Sequence, residues 1–204
     1  MSSLGSHEKK FLLKIAREAL LIAAEKREQL TELPRDVILA ESTGAFVTLR
    51  KRGRLRGCIG QIGTGRPLAD VVTHSAKSAA LEDPRFEPVQ SEEVAEIEIE
   101  ISVLSVLEEI VPEKIEAGRH GLMVSRGWQR GLLLPQVATE MRWTALRLLE
   151  ETCVKAGLER GAWREPDTKI QGFTAEVFSE SELLLPEEAP GIAGRAKPRY
   201  STST

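Results

Sequence analysis

One cysteine-bearing segment offers the most specific chemistry in this chain. Cys58 stands within residues 55–60, which read LRGCIG. Alternation along an extended strand puts Arg56, Cys58 and Gly60 on one face. A guanidinium beside a thiol favours the thiolate and lowers the pKa of the cysteine. Because Gly57 and Gly60 carry no side chain, a ligand or another backbone can approach. Cys58 is therefore a candidate nucleophile; the alternative is a packed thiol.

Two further residues are candidates for moving protons. His120 precedes a glycine in a predicted turn at a strand end, where functional residues are common, so it is a candidate general acid or base. Glu100 lies in a strand of alternating glutamates and would form an ion pair with Arg56 if the two strands met in register. The alternative for these glutamates is the solvated face of a sheet.

A short acidic and basic motif follows a predicted helix. Asp83 and Arg85 lie in the sequence DPRF, where an aspartate turn and an arginine clamp could orient a loop. The alternative is a fixed connection without a ligand. The candidate binding residues are Arg56, Gly57, Gly60, Asp83, Arg85 and Glu100.

Hydrophobic periodicity predicts the elements that position these residues. Strict alternation over residues 96–103 predicts a strand with one buried face. The predicted hairpins join residues 44–49 to 55–60 and 121–125 to 132–134, and a last strand covers 173–178. The predicted helices begin at Ser6, at Pro67 and near Trp143, the last with Leu146, Leu149 and Cys153 on one face and its end at Gly157. A short element is expected at 37–40. Because hairpins imply antiparallel pairing, the predicted fold class is α+β, a mostly antiparallel sheet flanked by helices.

Composition excludes several classes of protein. The chain has 204 residues, a formal charge of -3 and two cysteines, so a disulfide scaffold and a generally basic nucleic-acid coat are excluded. No apolar run is long enough for a membrane span, and three scattered histidines predict no metal site. We expect a cytoplasmic protein with one domain over residues 1–186 and a disordered tail over 187–204. The residues identify no cofactor.

A basic cluster at the first hairpin supports a different class of partner. Arginines and lysines recur over residues 50–56, which could bind phosphate or RNA. The segment lacks the interleaved aromatic residues of a stacking platform, so nucleic acid is not the favoured partner.

A set of short motifs follows a fixed order along the chain. The hairpin sequences GAFVTL and LRGCIG are followed by DPRF, ISVLS, HGL, GLLLPQVA and KAGL. This ordered set resembles the AMMECR-one domain family. The resemblance implies two α+β lobes with a cleft near the cysteine. It also implies a pathway shared with a Memo-like protein and a radical S-adenosylmethionine protein. Members often have a glycine before the tryptophan that stands here as Trp143, and an acidic residue after it. Arg142 and Thr144 depart from that pattern, which questions a helix cap at this place.

Three hypotheses about function follow. The first is an enzyme or enzyme component in which Cys58 is nucleophile or thiolate ligand, Arg56 anchors a small anionic substrate, and His120 or a carboxylate moves protons. The second is a non-catalytic adaptor that holds a partner or presents a substrate. The third is RNA or nucleotide binding through the hairpin of residues 50–56.

Overall fold

The computed structural model describes residues 4–25, 44–63 and 65–183, which form an α+β fold. The described helices are α1 (Ser6–Ala24), α2 (Leu68–Leu81), α3 (Pro135–Glu140), α4 (Ala145–Lys155) and α5 (Glu180–Leu183). The strands are β1 (Gly44–Lys51), β2 (Arg54–Ile62), β3 (Ile97–Leu104), β4 (Glu108–Glu109), β5 (Gly121–Arg126), β6 (Gln129–Leu133), β7 (Lys169–Phe173) and β8 (Ala175–Ser179). Short 3-10 segments cover Ser91–Glu96, Pro112–Lys114 and Ala162–Arg164.

The first four-stranded sheet, sheet A, carries the cysteine. Its strand order is β2-β1-β3-β8 and every pairing is antiparallel. One face is apolar because β1 and β3 alternate as the sequence predicts, and helices α1 and α2 pack on that side. The other face presents polar side chains such as Thr48, Glu100 and Ser102, which stand on adjacent strands β1 and β3.

The second sheet, sheet B, has its own core. Its order is β4-β7-β5-β6, again antiparallel throughout. Helix α4 packs on β5 and β6 and buries Leu148, Leu149 and Cys153. Cys153 is therefore a core thiol, as its place on the helix predicts.

A two-stranded ribbon joins the sheets. Strands β3 and β8 pair in sheet A, and the same two chain segments continue as β4 and β7 in sheet B. At the junction the Ser105 amide donates to the Thr174 carbonyl at 2.9 Å, and the Thr174 amide donates to Ser105 Oγ at 2.9 Å. The last strand, predicted over 173–178, is present as β8 but begins at Ala175, because Thr174 is the break between β7 and β8.

Helix α3 makes a second connection between the sheets. Gln136 Nε2 donates to Ser102 Oγ at 2.8 Å, and Arg50 Nη2 donates to Glu140 Oε1 at 3.0 Å. Both partners of α3 are on the polar face of sheet A, so this short helix lies over part of that face. The predicted cleft between two lobes stays a prediction.

Helix α4 begins later than its sequence pattern predicts. Trp143 precedes the helix, and Leu146 is 51% exposed because the buried face centres on Leu148, Leu149 and Thr152. The N-terminal cap is present, since Thr144 Oγ1 accepts a hydrogen bond from the Arg147 amide at 3.2 Å. Arg142 has φ 54°, a left-handed backbone conformation that glycine adopts more readily than arginine.

Other predictions fall partly outside the described residues. The element expected at 37–40 and the tail over 187–204 lie there. Among the helices of the described ranges, none is both long and apolar enough to span a membrane. Those ranges also contain no cluster of three metal-binding side chains.

Candidate functional site

Cys58 is the end of a polar row that crosses three strands of sheet A. Thr48 of β1 pairs in register with Cys58 of β2 on one side and with Glu100 of β3 on the other. Thr48 is buried, and its Oγ1 donates to Cys58 Sγ at 3.3 Å. Cys58 itself is half-buried. The row therefore places a thiol, a hydroxyl and a carboxylate on one face.

Asp83 fixes the edge strand that carries the cysteine. The residue is only 4% exposed, and its Oδ2 accepts a hydrogen bond from the Cys58 amide at 2.8 Å. Arg85 donates to the same carboxylate from Nε at 2.9 Å and from Nη2 at 2.7 Å. Chiefly because of Arg85, the pKa of Asp83 is lowered to about 2. Asp83 is thus an ionised anchor with its lone pairs engaged.

Arg85 is the cation beside the thiol. Its side chain is 53% exposed although Asp83 holds one edge of the guanidinium. Nη2 lies 3.5 Å from the Cys58 carbonyl oxygen, which is the limit of a hydrogen bond. A guanidinium that is fixed at one edge and open at the other is suited to binding an anion.

The thiol is protonated at neutral pH. Burial raises the pKa of Cys58 above its ordinary value, and the Thr48 hydrogen bond and the Arg85 charge offset only part of this effect. The expectation that a neighbouring guanidinium lowers the pKa of Cys58 below its ordinary value is therefore wrong. The Arg85 charge does lower the pKa of the thiol, as expected of a guanidinium, but burial raises this pKa by more.

Arg56 does not serve as the partner of the thiol. The pairing of β1 with β2 shifts between Leu49 and Arg50, so Arg56 has no partner on β1 and the simple alternation fails there. Its guanidinium instead donates to Glu93 from Nη2 at 2.6 Å and from Nε at 3.2 Å. Chiefly through Arg56, the pKa of Glu93 falls to about 2. The Phe86 ring lies near both arginines: its centroid is 5.9 Å from Arg56 Cζ and 5.5 Å from Arg85 Cζ.

Glu100 faces a different arginine from the one predicted. Arg50 Nε lies 3.7 Å from Glu100 Oε2, whereas Arg56 is engaged by Glu93. Burial raises the pKa of Glu100; Arg50 lowers it, while the like charges of Glu140 and Glu98 raise it further. A carboxylate with a raised pKa is a stronger base, so Glu100 is suited to accept a proton.

The two glycines of the segment are explained by packing. A Cβ at Gly57 would lie 2.2 Å from the Ala79 carbonyl oxygen of α2, and one at Gly60 would lie 2.3 Å from the Phe46 ring. Each glycine therefore lets a neighbouring element approach β2. The approach at Gly57 comes from a helix and the one at Gly60 from an aromatic ring.

His120 lies at another place in the molecule. Its Nδ1 accepts a hydrogen bond from the Glu116 amide at 3.0 Å. It lines a groove of about 660 Å³ with residues of β4, β7 and the turn before β5, and Cys58 is absent from this lining. The structure therefore brings Cys58, Asp83, Arg85 and Glu100 to one region and leaves His120 in a separate groove.

Three residues near the site carry no recognisable signal in the sequence. Thr48 and Ser102 read as ordinary polar strand positions, and Gln136 belongs to a helix more than thirty residues away from Ser102. Gln136 Oε1 is buried without a hydrogen-bond partner in the described part of the chain. Alternation could have placed Thr48 and Ser102 on the polar face, but only the tertiary structure brings Gln136 there.

The basic hairpin is largely neutralised. Lys51 Nζ lies 2.9 Å from Glu93 Oε2, and Arg52 Nη2 lies 2.8 Å from Glu96 Oε1. Both glutamates belong to the 3-10 segment Ser91–Glu96. Arg50 and Arg56 are also ion-paired. These pairs reduce the positive charge that the hairpin can offer to RNA.

Comparisons with known proteins agree with the motif order and the fold. The AMMECR1 family profile matches residues 13–178. The chain belongs to the AMMECR1 family. A relative from Methanothermobacter thermautotrophicus is 44% identical over 186 residues, with 87% of this chain and 96% of the relative covered. A relative from Methanopyrus kandleri is 43% identical, with 86% and 89% covered.

A solved structure shows the same fold. The crystal structure of an uncharacterised protein from Pyrococcus horikoshii superposes with a TM-score of 0.77 at 40% identity, covering 83% of this chain and 90% of that one. The AMMECR1 fold is thereby shown for this chain, with two antiparallel sheets and their helices.

Proposed function

We propose that this AMMECR1-family protein is an enzyme, or a component of one, that binds a small anionic substrate beside Cys58. The observation that carries the proposal is the Arg85 guanidinium, which Asp83 holds next to the half-buried thiol while its other edge stays exposed. Arg85 binds the anionic group of the substrate, the role that the sequence pattern gave to Arg56. Cys58 is the nucleophile.

The reaction step uses groups on the polar face of sheet A. Thr48 stands between Cys58 and Glu100, so the thiol proton passes to the Thr48 hydroxyl as that hydroxyl gives its own proton to the Glu100 carboxylate, whose raised pKa favours proton uptake. The sulfur electron pair forms a bond to an electrophilic carbon, and the π electrons of the attacked double bond move to the atom beyond it. Thr48 positions the sulfur through its hydroxyl. His120 has no part in this step because it lines a different groove.

Alkylation with a charged and a neutral reagent tests the proposal. The rates of iodoacetate and iodoacetamide at Cys58 are measured by peptide mass spectrometry, with buried Cys153 as an internal control. We expect Arg85→Gln to lower the iodoacetate to iodoacetamide rate ratio about fivefold, since a charge pair near the surface contributes roughly 1 kcal/mol. Arg119→Gln removes the same charge from the His120 groove and is expected to leave the ratio unchanged.

The same measurement can contradict the proposal. A native Cys58 that reacts no faster than Cys153 is closed to substrates, and a ratio insensitive to Arg85→Gln means that this arginine does not attract anions to the thiol. The rate should also rise with pH around a midpoint above the ordinary cysteine pKa, because burial raises the pKa of this thiol.

The raised pKa of Cys58 also favours a second candidate, a non-catalytic adaptor. In both cases we propose cytoplasmic action in a pathway with a Memo-like protein and a radical S-adenosylmethionine protein, which family membership supports. Cys58→Ser distinguishes the candidates. An adaptor with this substitution keeps partner binding and pathway output, whereas an enzyme keeps binding and loses output.

A further inference from the structure

The hairpin of β5 and β6 ends in an isolated aromatic side chain. Trp128 is 89% exposed, more than any other exposed large apolar residue in the described ranges. It follows Gly127 in the two-residue turn, and Gly127 has φ 59°, the left-handed backbone that glycine adopts readily. Because so little of the indole is covered, Trp128 contributes little to the packing of sheet B.

Cations surround this turn on both sides of sheet B. Ser125 of β5 pairs with Arg130 on β6 and with Lys169 on β7, so these two cations share one face. On the opposite face the end of α4 lies against β6, so closely that a Cβ at Gly131 would lie 2.3 Å from the Ala156 nitrogen and 2.6 Å from the Lys155 carbonyl carbon. Gln129, which pairs with Arg126, donates to the Gly157 carbonyl beyond α4 at 2.9 Å. Arg126 and Lys155 therefore stand on the α4 side.

These four cations are not neutralised by neighbours. None of them has an ion-pair partner among the residues that the structure describes: Arg126, Arg130, Lys155 and Lys169. The hairpin over residues 121–134 contains two arginines and no acidic residue. In the β1–β2 hairpin, by contrast, glutamates pair with Arg50, Lys51, Arg52 and Arg56.

We propose that Trp128 and these four cations, here called the Trp128 surface, bind single-stranded RNA. A base stacks on the exposed indole, and the cations contact the flanking phosphates. A protein partner would favour a ring of apolar contacts around the tryptophan, and insertion into a membrane would favour several apolar side chains. The other large apolar residues of the two strands are not exposed, Leu122 and Val124 being fully buried.

Binding of a labelled oligoadenylate RNA of about 12 nucleotides tests the proposal by fluorescence anisotropy, because sites of this kind span about 4–16 nucleotides. We expect Trp128→Ala to weaken binding about tenfold or more and Trp128→Phe to retain most of the affinity. Arg130→Gln with Lys169→Gln should weaken binding and reduce the slope of log K against log salt, by about 0.7 for each lost phosphate contact.

Matched controls separate this surface from general electrostatics. Arg52→Gln with Arg54→Gln removes the same charge from the other hairpin and should leave binding unchanged. A duplex of the same RNA should bind more weakly, since its bases are already stacked. Three results would each overturn the proposal. They are an equal loss of RNA affinity in both double variants, an RNA affinity unchanged by Trp128→Ala, and binding to anionic phosphatidylserine vesicles without binding to RNA. Thermal unfolding should be unchanged in Trp128→Ala, because this side chain is exposed.

Discussion

Asp83 is the residue that ties the candidate site together, because one carboxylate holds both the Cys58 amide and the Arg85 guanidinium. Each of these hydrogen bonds has an ionised acceptor, and such bonds are stronger than neutral ones. The carboxylate therefore sets the distance between thiol and cation, and the site depends on its charge.

Asp83→Asn should lower the free energy of unfolding by about 2 kcal/mol near neutral pH. The pKa of Asp83 is about 2 in the folded protein against an ordinary value of 3.8, so its stabilisation is present above the ordinary pKa. It is lost as pH falls through the folded value. Urea unfolding at about pH 7 and about pH 3 should show the difference between wild type and variant shrinking with acid. Asp167→Asn, at an exposed position, serves as the control. If wild type and Asp83→Asn differed in free energy of unfolding by the same amount at both pH values, Asp83 would not be the ionised anchor of the site.

At the scale of elements, the close contact of α2 with β2 depends on Gly57. We expect Gly57→Ala to destabilise the fold by at least about 2 kcal/mol, because its Cβ would meet the Ala79 carbonyl oxygen at 2.2 Å. Gly161→Ala is the matched control, since its Cβ would meet only the end of the Arg164 side chain at 3.3 Å. Chemical denaturation measures both. If the two substitutions lowered the free energy of unfolding by similar amounts, β2 could move away from α2 with little loss of stability.

The sequence predicts elements where the pattern is local, and this limit explains the errors at the site. Alternation is sufficient for β3, which differs from the predicted bounds by one residue at each end. It fails at Arg56, because the shift in register depends on how β2 meets β1. Cys58 and Asp83 stand in local motifs that predict them as site residues, whereas the pairing of Arg56 with Glu93 joins residues 37 positions apart. Periodicity contains no information about such long-range partners.

At the scale of the whole molecule, a ribbon and the short helix α3 connect the two cores within the part of the chain that the structure describes. The ribbon of β3–β4 and β7–β8 passes through the Ser105 and Thr174 hydrogen bonds, and α3 reaches the polar face of sheet A through Gln136. Because the ribbon strands belong to both sheets, melting either sheet would remove pairing partners from the other. This continuity supports the prediction of one domain over residues 1–186.

A buried ion pair far from sheet B makes this prediction testable. In α5, Glu180 accepts from Arg17 of α1 and from the Ile99 amide of β3, and both charged side chains are buried. Glu180→Gln leaves the Arg17 charge without its counter-ion, which should cost about 3 kcal/mol. All three tryptophans, Trp128, Trp143 and Trp163, lie on the sheet B side. Tryptophan fluorescence should therefore report the same shift in urea midpoint as circular dichroism, although the substitution is in the other core. Glu87→Gln removes the same charge at an exposed position and should shift neither signal. A fluorescence midpoint that stays at the wild-type value while the circular dichroism midpoint falls would mean that the cores unfold separately, and the single domain would have to be divided into two.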